Sequence, residues 1–118
     1  MYEQTLPSSP DSIAGAQAWI KTIALTHQPS LADAAERAVA EQVAIALRRT
    51  PPRSSISLTA DATNTALIIR VRDPGQPLTT ADGPEWAELS TLAYSFRSQR
   101  SATGHTTEVE LRRQPAAS

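Results

Sequence analysis

Two rhythms of apolar positions run along the chain. Ile13, Ala16, Trp19, Ile20 and Ile23 recur at helical spacing and predict a helix over residues 11–26. Asp11 or Ser12 can cap its start, and His27-Gln28-Pro29 ends it. A second stripe, Ala35, Ala38, Val39, Val43, Ala46 and Leu47, predicts a helix from residue 30 to 49. Ser30 with Asp33 makes a variant of the capping box, and Pro51-Pro52 stop the helix. Its many alanines imply close packing against another layer. The period then changes from about 3.6 to 2. Ile56, Leu58 and Ala60 alternate with Ser57 and Thr59; Leu67, Ile69 and Val71 alternate with Ile68, Arg70 and Arg72. Asp61-Ala62-Thr63-Asn64 is a hairpin turn between these two strands.

The ends follow the same logic. Residues 2–6 read as a short edge strand before the breaker Pro7-Ser8-Ser9-Pro10. Residues 73–84 read as loop, and a third helix fits 85–95 with Trp86, Leu89, Leu92, Ala93 and Phe96 inward. Tyr94-Ser95-Phe96-Arg97-Ser98 can begin a strand, and Ser101-Ala102-Thr103-Gly104 is a turn. Thr107, Val109 and Leu111 face inward on a final strand, and residues 114–118 form a disordered tail. The order predicts one α+β domain over residues 1–113. It is a two-layer sandwich with a mixed, mostly antiparallel sheet and about three helices on one face.

Composition narrows the function classes. A chain of 118 residues suits one domain, and its 40% apolar content is clustered enough for a core. The net charge of −1 offers no general attraction to nucleic acid or a membrane surface. With no cysteine, disulfides, thiolate metal sites and cysteine nucleophiles are excluded. His27 and His105 have no partner at metal-ligand spacing, so no metal site is expected. No apolar run approaches the roughly 20 residues that span a bilayer. The start, Met1-Tyr2-Glu3-Gln4, lacks the basic and apolar regions of a signal peptide, so a cytoplasmic protein is expected.

The stretch Arg70-Val71-Arg72-Asp73-Pro74-Gly75-Gln76-Pro77 allows two readings. It is a chain-reversing turn, or it sets the Asp73 carboxylate at the mouth of a pocket. Arg48 and Arg49 meet the C-terminal dipole of their helix without needing a ligand, and Arg70 and Arg72 read as solvent-facing. Trp19, Trp86 and Phe96 read as core.

Three stretches in order carry a resemblance. They are Glu41-Gln42-Val43-Ala44-Ile45-Ala46-Leu47-Arg48-Arg49, Val71-Arg72-Asp73-Pro74-Gly75, and Thr103-Gly104-His105-Thr106 followed by Thr107-Glu108-Val109-Glu110-Leu111. Together they resemble the GHKL-type (Bergerat-fold) ATPase domains of the actinobacterial anti-sigma-factor serine kinase family, over residues 12–113. The resemblance implies that Glu41 stands where the family orients the attacking group. It implies that Asp73, with Gly75 and with Thr106 helping, would meet the adenine. The family's Mg²⁺-ligating Asn is replaced by Ile45, which has no oxygen to offer a hard cation. The family's glycine-rich phosphate cradle is replaced by Gly83-Pro84-Glu85-Trp86-Ala87-Glu88-Leu89. Pro84 donates no N–H, and Glu85 and Glu88 repel phosphate.

The expectation is a degenerate anti-sigma-like module, inactive as a kinase, with Glu41 as a relic. No cofactor is expected beyond weak ATP or ADP. A protein partner, such as a sigma factor or a transcription regulator, and a homodimer are implied. The alternatives are a working ATP-dependent serine kinase using Glu41 and Asp73, and a structural subunit of a larger complex.

Overall fold

The computed structural model describes residues 1–49, 54–74, 93–101 and 104–112. Strand β1 (Tyr2–Pro7) leads into helix α1 (Asp11–His27), a 3₁₀ turn (Pro29–Leu31) and helix α2 (Ala32–Arg49). Strands β2 (Ser55–Ala62), β3 (Ala66–Asp73), β4 (Ser95–Ser101) and β5 (Gly104–Arg112) follow. All five strands form one sheet in the order β1-β2-β3-β5-β4. The architecture is α+β, a sheet with helices packed on one face.

The sheet is antiparallel at every pairing among the described residues, in keeping with the mostly antiparallel sheet expected. The αα-hairpin explains the first pair. Two antiparallel helices return the chain to the end where β1 finished, so β2 starts opposite Pro7 and runs back, with Pro7 paired to Ser55. The other connections described are tight reversals, which can only join antiparallel neighbours.

Alternation then sorts the faces. Ile56, Leu58 and Ala60 of β2, Leu67, Ile69 and Val71 of β3, and Val109 and Leu111 of β5 are buried. They meet Ala16, Ile20 and Ile23 of α1 and Ala35, Ala38, Val39, Val43, Ile45 and Ala46 of α2 in one core. Small side chains let α1 and α2 approach closely. Trp19 is half-buried against this core, and Phe96 packs on it from β4.

Several polar side chains sit inside, Gln42 the most deeply. Gln42 of α2 is fully buried, and its Nε2 donates to Ile69 O (3.2 Å), Thr107 O (3.4 Å) and Thr107 Oγ1 (3.2 Å). It pins the helix to β3 and β5, because a buried amide is costly unless its hydrogens are bonded.

The helix starts depart from the sequence reading. The N-cap of α1 is Pro10, with no side-chain cap bond; Ser9 Oγ accepts from Asp11 N at 3.4 Å. Ser12 does not cap, because it faces inward and donates to Pro7 O at 2.6 Å. Asp11 remains in the first turn, where a carboxylate favours the helix dipole. The Ser30 capping box is replaced by the 3₁₀ turn, whose N-cap is Gln28. Gln28 is buried and donates to Thr63 O at 2.6 Å, tying the helix junction to the β2–β3 turn.

Two boundaries also move. The β2–β3 turn is shorter than expected, since β2 continues to Ala62. The third helix lies outside the described residues up to residue 92, but it does not reach 95. Tyr94 N already donates to Glu110 O at 2.8 Å, so pairing with β5 has taken these residues into the sheet. Two α-helices are present among the described residues; the span of the expected third falls outside them up to residue 92. No helix among them is long and apolar enough to cross a membrane. The expected tail also lies outside the described residues.

Candidate functional site

The residues expected at the site are scattered by the fold. Glu41 is half-buried on α2. Ile45, one turn on, is 1% exposed and belongs to the apolar core. Its aliphatic side chain offers no oxygen to a hard cation. Gly75 and the 83–89 segment lie outside the described residues.

Asp73 is the last residue of β3 and shares the inward parity of Leu67, Ile69 and Val71. It is 2% exposed. It therefore ends β3 buried in the sheet rather than as a solvent-exposed turn. Thr106 does not join it. Thr106 pairs with Arg72, whereas Asp73 pairs with His105. Neighbouring residues on a strand face opposite sides, so Thr106 lies on the outer face. There it lines a groove of about 370 Å³ with Thr5, Ser57, Thr59, Arg70 and Arg72. This larger groove is on the face away from Asp73. A smaller cleft of about 230 Å³, lined by Ser55, Ser57, Arg72, Asp73 and Pro74, lies at the strand end.

The outer face is ionic. Arg70 donates from Nε to Glu108 at 2.7 Å and from Nη1 to Asp61 at 3.0 Å. The hydrogen bond to Glu108 comes first in raising the Arg70 guanidinium above its ordinary pKa, against a lowering by burial, and Asp61 adds to it. Arg70 is thus held by carboxylates rather than fully solvated, while Arg72 is exposed. Arg112 lies over the Tyr94 ring at 3.8 Å and also donates to Glu110.

The constellation that sequence reasoning missed surrounds His105. The ring is 1% exposed. Its Nδ1 stands 3.7 Å from Asp73 Oδ2, and its Nε2 stands 2.6 Å from Ser98 Oγ. A strand parity argument could have found two of the three. His105 alternates with Thr106 and is in phase with Thr107, Val109 and Leu111; Asp73 is in phase with Val71. Both therefore point into the helix-facing layer, and only the register of β3 on β5 brings them together.

Gly104 makes this approach feasible. A Cβ there would stand 2.1 Å from Asp73 O, and its φ is +157°. The backbone of β5 thus enters against the end of β3 at a distance that only glycine permits. Among the described residues, no group of three His, Asp or Glu side chains is placed to hold a metal ion. Neither a protein-family model nor a curated protein sequence matches the chain.

Proposed function

We propose that this chain is a regulatory protein-binding module, a degenerate relative of the GHKL-type anti-sigma-factor serine kinases that is inactive as a kinase. What carries the reading is Ile45. The side chain that stands where a Mg²⁺ ligand is needed is apolar and sealed in the core. Phosphoryl transfer depends on a metal that neutralises developing charge, and Mg²⁺ needs oxygen ligands. The burial of Asp73 beside His105 supports the same reading, because a carboxylate already shielded from solvent is poorly available to an adenine amino group. Glu41 is then a relic. ATP or ADP binds weakly or not at all.

The partner in this reading is a protein of the transcription machinery, a sigma factor or a regulator, met in the cytoplasm by a homodimer. Two measurements test the reading. Incubation with γ-labelled ATP, Mg²⁺ and native-cell extract should label no protein above background; label transfer overturns kinase inactivity. Affinity capture should recover a sigma factor or transcription regulator that rebinds the purified chain. Recovery without such a rebinding partner overturns the regulatory role.

A further inference from the structure

Ser98, His105 and Asp73 have no part in the binding role, yet the fold brings them together from three strands. Asp73 is directly opposite His105 in the β3–β5 register. Ser98 reaches His105 diagonally, since its own register partner is Thr107. The distances are 2.6 Å from Ser98 Oγ to His105 Nε2 and 3.7 Å from His105 Nδ1 to Asp73 Oδ2. Burial is graded across the trio: the carboxylate and ring are sealed, and Ser98 is exposed on the edge strand. We propose that this is a nucleophilic acyl-transfer centre, with Ser98 as nucleophile, His105 as general base and Asp73 as the positioning residue. Its substrates are small activated esters.

A serine hydroxyl is a weak nucleophile until a base takes its proton. Ser98 donating to Nε2 requires the proton of a neutral ring to sit on Nδ1, the nitrogen that faces Asp73. The carboxylate then favours that tautomer and stabilises the imidazolium formed during attack. The 3.7 Å gap exceeds a hydrogen bond. Catalytic hydrogen bonds without substrate are often long and tighten on binding. The chain order Asp, Ser, His is immaterial, because such a centre is defined by geometry.

The step balances as follows. Ser98 Oγ bonds to the ester carbonyl carbon while its proton passes to His105 Nε2. The bond from that carbon to the leaving oxygen breaks, and the leaving alcohol takes the proton. Water then attacks the Ser98 ester, with His105 again taking and returning a proton. The products are a carboxylic acid and free Ser98.

A fluorophosphonate probe tests this on the full chain without nucleotide, so its outcome is separate from kinase inactivity. Ser98 Oγ would bond to phosphorus as fluoride leaves, and the proton would depart through His105. Peptide mass spectrometry should place the label on Ser98. The labelling rate should rise with pH through a single step in the histidine range. Among the described residues, Asp73 from β3 and Ser98 from β4 face the ring, and Arg100 is the backbone register partner of His105 on β4. Ser98→Ala should abolish labelling. His105→Gln should slow it on the order of 100-fold. Asp73→Asn should slow it at least about tenfold and move the pH step downward, because the carboxylate no longer favours the imidazolium. If the buried variants do not fold, the pH step of the native chain decides. No label on Ser98, a flat pH profile, or a folded His105→Gln variant labelled at the native rate would overturn the proposal.

Discussion

At the scale of single residues, Gly104 is the position with least freedom. A methyl group there meets backbone, the Asp73 carbonyl at 2.1 Å, and backbone cannot rotate away as a side chain would. Gly104→Ala should therefore cost about 1–3 kcal/mol, the usual range for forced overpacking, read from denaturant midpoints. An unchanged midpoint would show that β5 does not enter as described. Arg70 makes the opposite case. It holds two carboxylates yet is 38% exposed, so solvent screens both pairs. Arg70→Ala should cost less than about 1 kcal/mol, with the loss shrinking further in high salt. Its raised pKa contributes stability that is present below the ordinary guanidinium pKa and is lost only as pH rises through the raised one, so Arg70 adds no pH dependence near neutrality. What the sequence made legible here is parity. The inward set Ile56, Leu58, Ala60, Leu67, Ile69 and Val71 was readable from alternation alone. His105 against Asp73 was not, because 31 residues separate them and the β3–β5 register decides the contact.

At the scale of elements, apolar periodicity located both described helices and the strands that follow them, and local rules failed at the ends. Ser12 was a reasonable cap by residue type. It is instead drawn to Pro7 O, a contact made across the β1–α1 corner that no local rule anticipates. Gln28 and Gln42 are each buried with a bond to a distant carbonyl, which apolar periodicity does not mark. Tyr94 and Ser95 stood at both the expected end of a helix and the expected start of a strand, and pairing with β5 puts them with the strand. The helix pair offers a direct test of packing. Ala38 is fully buried on α2. Ala38→Leu should lower stability by about 1–3 kcal/mol through overpacking, measured by thermal or denaturant unfolding. A stabilised variant would mean that the layer holds an unfilled void.

At the scale of the whole molecule, the fold class was legible because two helical stripes followed by alternating strands leave few ways to bury one core. The candidate site was less so. Its expected members were taken from three separate stretches, and the topology divides them among core, strand end and outer face. Ile45 lies in the core, Asp73 is buried at the end of β3, and Thr106 is on the outer face. Replacing Ile45 with Asn should not recreate a metal site. It should place an amide among apolar neighbours, costing on the order of 1–3 kcal/mol, with Mg²⁺–nucleotide affinity little changed. The central proposal, that the chain has no working Mg²⁺–nucleotide site, is tested most directly by isothermal titration of the purified chain with ATP and Mg²⁺. The expected result is no saturable heat, or binding so weak that Mg²⁺ does not alter it. Tight binding that requires Mg²⁺ would contradict it.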